Sequence, residues 1–507
     1  MILVRHNVVL FTFWVLFSLS VCLGLVGSYN PFTAFVPCLD QDIYSACGQG
    51  LLYGHEPYRE VWDHKGPILY FVYALGALIT GSSRYGVILL FLFAQTVAII
   101  FSYRIAKTFT SELGACVVTV SLYTIFASGF SCNPSELIVP FQLITLYQIL
   151  QEDNHNRIGF WGGIGSAVAI WTKFNISVYW APLLIWLFCR CVRDDSWRKG
   201  FLLFFSFFAG FSLVTIPVII YFVSVDSLHD LFDSYFYFNL AYAGQGESII
   251  FADPAVVLSG ALASNGLLRN FLWRFGPTFA FVFSSLIYCG GFLLFLIRGF
   301  RTRKRGAGIS LAILLSLFGT LLAVFGGIYN FSHYYASFIP FQIILLSLLY
   351  RFFFDRKGDS NERKFVQCVI LIISSIVCFL YAHHRYESEW KQANECGREL
   401  LSEFVRVTSG NKDYLLLDGV PTFFYNALGV LPPICHFYQP AVSRSISDHF
   451  YIEATRAIRF QSTEYIVLGR EPSEWEMFMD PGYEYVGAVG GRYRVFRRRN
   501  RQEEVRS

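Results

Sequence analysis

The chain has 507 residues, of which 54% are hydrophobic, 18% aromatic and only 15% charged, with 53 Phe. A soluble protein of this length carries more charge and less Phe, so the composition argues for a polytopic membrane protein. A net charge of +4 is too small to imply a nucleic-acid partner.

The first apolar stretch, 8–27, is longer than a signal-peptide core, and no small-x-small cleavage site follows it in 25–30. A retained anchor is therefore expected. A polar segment comes next. It runs Pro37-Cys38-Leu39-Asp40-Gln41-Asp42-Ile43-Tyr44, then Gly54-His55-Glu56-Pro57-Tyr58-Arg59, then Trp62-Asp63-His64-Lys65-Gly66-Pro67. Carboxylates, histidines and a lysine beside a bilayer call for an explanation by solvent, partners or chemistry. Asp40 precedes an expected helix over 41–52, so an N-cap and a positioned general base are both open to it. Lys65 can snorkel to lipid headgroups or hold a phosphate. The apolar but short 67–81 stretch reads as a helix in the outer interface.

Counting 8–27, about eleven spans follow from hydropathy: 85–103, 113–130, 134–151, 158–172, 175–192, 199–223, 272–298, 307–328, 334–354 and 364–382 complete the set. Arg104 and Lys107, Arg157, Arg190 to Lys199, Arg298 to Arg305 and Arg351 to Lys364 fall in one alternate set of loops. The positive-inside rule makes that set cytoplasmic, with the N-terminus inside and the C-terminus outside. Between spans 158–172 and 175–192 there is almost no loop, and Lys173 stands there at an otherwise cation-poor outer end. Asn133-Pro134-Ser135-Glu136 matches a capping box, which gives Glu136 a structural reading beside a functional one. His333-Tyr334 opens the 334–354 span; Tyr suits an aromatic belt and His does not.

From about residue 383 the chain turns polar. A helix near 388–407, a strand at 414–417, a helix at 448–458, a strand at 465–469 and two paired strands at 483–487 and 493–496 suggest a small α/β domain. No glycine-rich phosphate fingerprint follows its first strand. Seven of the 12 cysteines lie in apolar spans. Cys38/Cys47 and Cys396/Cys435 could pair if the outside is oxidising, or stay free thiols. The fold class is thus a polytopic α-helical membrane protein with juxtamembrane helices in the first outer loop. Its domains are 1–382 in the membrane and 383–507 outside.

Under this topology Asp40, Lys65, Glu136, Lys173 and His333 share the outer membrane level. A carboxylate can take a proton from an acceptor hydroxyl there, while cations stabilise a departing lipid phosphate. In the order Asp40-x-Asp42-x-Tyr44, Gly54-x-x-Pro57-Tyr58, Asp63-x-Lys65-Gly66-Pro67, Trp171-Thr172-Lys173 and His333-Tyr334 with Pro340, the chain resembles the multispanning lipid-phosphosugar-dependent glycosyltransferases of the GT-C class, of the protein O-mannosyltransferase and aminoarabinose-transferase type.

The resemblance implies an enzyme that moves a sugar from a polyprenyl-phosphate donor to a hydroxyl of an extracytoplasmic glycan, lipid or protein. It implies Asp40 as catalytic base, with Asp42 beside it where related chains carry Asp-Glu. Tyr44, Tyr58, Asp63, His64, Lys65, Glu136, Lys173, His333 and Tyr334 become candidate substrate contacts. No cofactor is demanded; Asp40 and Asp42 are the pair that could hold a divalent cation. Two other classes stay open on the sequence. A transporter or flippase of a lipid-linked sugar calls for ionisable groups near the bilayer midplane and for inverted repeats, and neither is evident. A non-catalytic membrane scaffold would make the Asp40 loop dispensable.

Overall fold

The computed structural model describes residues 12–18, 35, 39–126, 132–151, 154–244, 304–325, 336–354, 366, 369, 373, 391–438, 448–469, 473–479 and 481–499. The chain divides into two compact units. One comprises 1–27, 91–218 and 243–382; the other comprises 28–90, 219–242 and 383–507.

The first unit is helical. Its described helices include Glu112–Phe126, Pro134–Leu150, His155–Lys173, Trp180–Arg190, most of Trp197–Ser224, Lys304–Phe325 and Ile339–Phe353. Three described runs are long and apolar enough to cross a membrane: Arg84–Phe109, His155–Asp194 and Trp197–Ser224. The outward side of the last carries Phe201, Phe204, Phe205, Phe208, Leu213 and Ile216, all exposed, as a lipid-facing helix requires. Small residues bring helices together. A side chain at Gly163 would run into the Phe207 backbone, and one at Gly210 into that of Phe160. The 155–173 and 197–224 helices therefore approach backbone to backbone, the packing favoured where lipid supplies no hydrophobic drive.

The 155–194 run is not one straight rod. Lys173 leaves the helical region at φ −157° and ψ 86°, and a 3₁₀ turn covers Phe174–Tyr179. Gly162 then faces Leu184 and Gly165 faces Trp180, so the chain folds back on itself. This hairpin separates the two stretches that the sequence leaves almost without a loop.

The second unit holds the polar first segment and the C-terminal region. Helices Leu39–Leu52 and Pro67–Thr80 pack together, and Gly48 lies so close to Tyr73 and Ala74 that a Cβ would come within 2.8 Å of the Ala74 nitrogen. The 14-residue Pro67–Thr80 helix starts on a proline and ends at Gly81 in the left-handed region, φ 71°. At about 1.5 Å per residue it reaches about 21 Å, short of a bilayer core of about 30 Å, in keeping with an interfacial role.

A four-stranded sheet forms from β1 (Tyr414–Leu417), β2 (Tyr465–Leu468), β3 (Tyr483–Val489) and β4 (Tyr493–Arg498), in the order β1-β2-β4-β3. β1 and β2 are parallel, and β4 is antiparallel to both β2 and β3. Every residue of β1 and β2 is buried, because both faces are covered, and this is why they read as continuous apolar runs. Leu415, Leu417, Ile466 and Leu468 pack with Phe450 and Ile458 of the His449–Arg459 helix. Tyr414 meets Phe404 of the Lys391–Val407 helix at 4.9 Å and stacks on Tyr425 at 5.3 Å. The architecture is thus a multispanning helical protein with a small C-terminal sheet.

Candidate active site

The first-segment helix begins at Leu39, two residues before the expected 41–52, and both Asp40 and Asp42 occupy its first turn. Carboxylates are favoured there by the unpaired N–H groups of the turn. The two differ in surroundings. Asp40 is half-buried, and none of the described residues hydrogen-bonds its carboxylate. Asp42 is 3% exposed, and the Asn426 amide donates to its carbonyl at 2.7 Å and its carboxylate at 3.4 Å. Tyr44, also buried, sets its ring edge-on to Tyr73 at 5.6 Å.

The 58–70 segment is held by its tyrosines. Tyr58 sits at φ 71°, a conformation that costs energy outside glycine. Its hydroxyl donates to the Lys65 carbonyl at 2.7 Å. The Lys65 N–H donates to the Tyr70 hydroxyl at 3.0 Å. Asn239 donates to the His64 carbonyl at 2.6 Å. The backbone of 64–65 is therefore fixed from three directions.

Asp63 lies at the centre, 1% exposed. Its carboxylate accepts from Tyr438 at 2.7 Å and from Tyr70 at 3.0 Å, and pairs with His64 Nδ1 at 3.2 Å. Burial opposes its ionisation, but Lys65, His64 and Tyr438 outweigh burial and hold the carboxyl well below the usual range. The opposite face of His64, Nε2, meets Lys65 Nζ at 2.6 Å. Burial and the Lys65 charge push the His64 pKa down, against the pull of Asp63 and, more weakly, of Asp40. The neutral ring then carries its proton on Nδ1, toward Asp63, and accepts from Lys65 on Nε2. A buried anion, a neutral imidazole and an ammonium form one chain, with the Asp40 charge near enough to act on the ring.

The C-terminal segment 435–438 closes this chain. Besides the Tyr438 bond, the Trp62 N–H donates to the Cys435 carbonyl at 3.0 Å, and the Trp62 ring stacks on His436 at 4.9 Å. Arg59 pairs with Glu56 at 2.8 Å and Asp230 at 2.9 Å. Tyr438, Asn426 and Asn239 were not among the sequence candidates. The one signal for the first is the Cys435-His436-Phe437-Tyr438 run of polar and aromatic residues after Pro432-Pro433.

Two further candidates belong to the other unit. Glu136, 1% exposed, accepts from the backbone N–H groups of Asn133 and Cys132, both at 3.3 Å, and completes the expected capping box. Lys173 is half-buried at the hairpin tip. The tip is anchored on either side: Trp171 donates to Thr215 at 3.0 Å and Asn175 to the Ala323 carbonyl at 2.7 Å. His333 and Tyr334 lie outside the described residues. Cys47, Cys396 and Cys435 are free thiols. Among the described residues, donor atoms able to hold a metal ion converge at Cys435, His436 and Glu453.

The fold is shared with solved multispanning membrane proteins, and the family resemblance stated from the sequence is borne out. Residues 64–221 match the family model described as dolichyl-phosphate-mannose-protein mannosyltransferase. The chain is similar to the crystal structure of ArnT from Cupriavidus metallidurans bound to undecaprenyl phosphate, with a TM-score of 0.60 at 12% identity over 97% of this chain and 98% of that one. It is also similar to the archaeal oligosaccharyltransferase AglB from Archaeoglobus fulgidus, in complex with an inhibitory peptide and a dolichol-phosphate. That match has a TM-score of 0.50 at 13% identity over 92% of this chain and 69% of the other. No curated protein sequence matches the chain.

Proposed function

We propose that the protein is an inverting glycosyltransferase that passes a sugar from a polyprenyl-phosphate donor to a hydroxyl on an extracytoplasmic glycan, lipid or protein, in the synthesis of cell-envelope glycoconjugates. The observation that carries this reading is a half-buried carboxylate, Asp40, that accepts no hydrogen bond among the described residues and whose charge reaches His64, the ring on which the Lys65 ammonium rests. Asp40 takes the proton of the acceptor hydroxyl as its oxygen attacks the anomeric carbon. The bond from that carbon to the phosphate oxygen breaks, and Lys65 or Lys173 takes up the negative charge left on the lipid phosphate. One displacement inverts the anomeric centre.

The remaining candidates divide by their surroundings. Asp63, Tyr58 and Tyr70 act through Lys65, by holding its loop and ring neighbour in place. Asp42 fixes the helix that carries Asp40; Tyr44, Glu136, His333 and Tyr334 are kept as candidate substrate contacts. Asp40 and Asp42 are the pair that could hold a divalent cation. The 1–382 region is the catalytic membrane domain, with eleven spans and a cytoplasmic N-terminus. The 383–507 region is an extracytoplasmic α/β domain of an enzyme in the plasma membrane.

Incubating the purified full chain with a panel of polyprenyl-phosphate sugars and hydroxyl acceptors tests the reading. Transfer with inversion that disappears in Asp40→Asn supports it. Transport of the intact lipid-linked sugar without transfer overturns it.

A further inference from the structure

One group of side chains outside the Asp63–His64–Lys65 chain combines three kinds of metal donor. Cys435 Sγ, a ring nitrogen of His436 and a carboxylate oxygen of Glu453 all lie within 4.8 Å of one another, and all three residues are half-buried. We propose that they form a structural site for a zinc-like divalent cation, which staples the C-terminal segment 434–438 to the loop that carries Lys65.

The donor set selects the metal. One thiolate, one imidazole and one carboxylate suit zinc, whereas magnesium and calcium prefer oxygen alone. The geometry is prepared for coordination. Glu453 spans His436, accepting its backbone N–H at 2.9 Å and lying 2.8 Å from ring Nδ1. The His436 ring is stacked on Trp62 at 4.9 Å and on His449 at 5.1 Å, so its orientation is set before any ion arrives. Binding exchanges the proton shared by ring and carboxylate for the cation. The 2.8 Å contact then opens to the spacing of two ligands on one ion, about 3.3 Å for bonds of about 2.0–2.1 Å.

Coordination displaces the thiol proton of Cys435 and the proton between His436 and Glu453 to solvent. A cavity of about 330 Å³ lined by Cys435, Glu453, Arg456 and Phe460 borders the group and leaves room for a water as fourth ligand. The consequence is mechanical. Cys435 Sγ lies 3.7 Å from the Tyr58 carbonyl, and the Cys435 carbonyl accepts from the Trp62 N–H, so an ion here braces the loop three residues from Lys65. Nothing in this inference depends on glycosyl transfer.

The test uses the purified full chain in detergent, stripped with chelator and reloaded with zinc or cobalt(II). The expected result is about one metal per chain by elemental analysis, with a thiolate-to-cobalt charge-transfer band, as for a site with one Cys ligand. Cys435→Ser should abolish the band, Glu453→Gln should weaken binding at least about tenfold, and Cys396→Ser should change neither. Glu453→Gln keeps an acceptor for the His436 N–H, so it reports on the metal even if Cys435→Ser folds poorly. No bound metal after reloading, or a band that survives Cys435→Ser, overturns the proposal and leaves His436 and Glu453 as a hydrogen-bonded pair.

Discussion

Asp63 and Tyr438 stand 375 positions apart and are joined by a 2.7 Å hydrogen bond from phenol to carboxylate. Through it the C-terminal segment takes part in fixing His64 and Lys65. Tyr438→Phe removes that donor and leaves a buried carboxylate short of a partner, at a cost of about 1–3 kcal/mol. A lower apparent melting temperature in detergent is expected, with a rise in donor KM larger than the fall in kcat, because Tyr438 touches no reacting atom. Unchanged donor kinetics would reduce the contact to packing alone.

The acid dependence of stability follows from the two shifted groups. The Asp63 pKa is depressed in the folded state. Its stabilisation is therefore fully present above the ordinary carboxylate value of about 3.9 and is lost only as pH falls through the depressed one. The His64 pKa is also depressed, so the unfolded chain takes up the proton first. Stability contributed by neutral His64 is full above about pH 6.5 and declines as pH drops from there toward the folded pKa. Melting temperatures measured across this range should fall with acid, and His64→Gln should flatten the slope. Asp63→Ala, which strands a neighbouring cation, should cost about 3 kcal/mol or more at neutral pH.

Asp40→Asn keeps the size and helix-start preference of the residue and removes the base. The variant should fold like the parent and lose about 10²-fold or more in transfer rate, the usual scale of a general base. Activity within a few-fold of wild type would make Asp40 a helix-terminal carboxylate without a chemical role.

The two lysines separate binding from leaving-group stabilisation. Lys65→Met and Lys173→Met keep the apolar stems and remove the charges. If a charge acts mainly in holding the donor, added donor should rescue rate; if it acts on the departing phosphate, kcat should stay low at saturation. Arginine should replace either lysine poorly, since its planar fork differs from a point charge. Kinetics with donor varied at fixed acceptor measure both, and wild-type behaviour in both variants would return them to headgroup snorkelling.

Sidedness rests on the basic loops. A cysteine placed by Ser473→Cys should react with an impermeant reagent in intact cells, because 383–507 is outside under the positive-inside reading. Reaction only after lysis would reverse the orientation and move the Asp40 loop to the cytoplasm.

What the sequence determined by itself was whatever depends on local pattern. Hydropathy marked the helices, the capping residues Asn133 and Glu136 marked a helix start, and the apolar runs 414–417 and 465–468 marked two strands. Each of these signals is read by the backbone within a few residues. The same locality explains why the polar first segment could be picked out as a candidate site, since its composition departs from everything around it. Tertiary structure alone decided the rest. Asp42 and Asp63 look as free as Asp40 in the sequence, yet Asn426 and Tyr438, each more than 370 residues away, engage them and leave Asp40 as the carboxylate without a hydrogen bond among the described residues. The fold-back at Lys173 was expected from the two spans that meet there, but its cause was not legible, because it depends on Gly162 and Gly165 giving Leu184 and Trp180 room to approach. Long-range partners are set by packing and by the need to satisfy buried charge, and neither leaves a periodic trace in the chain.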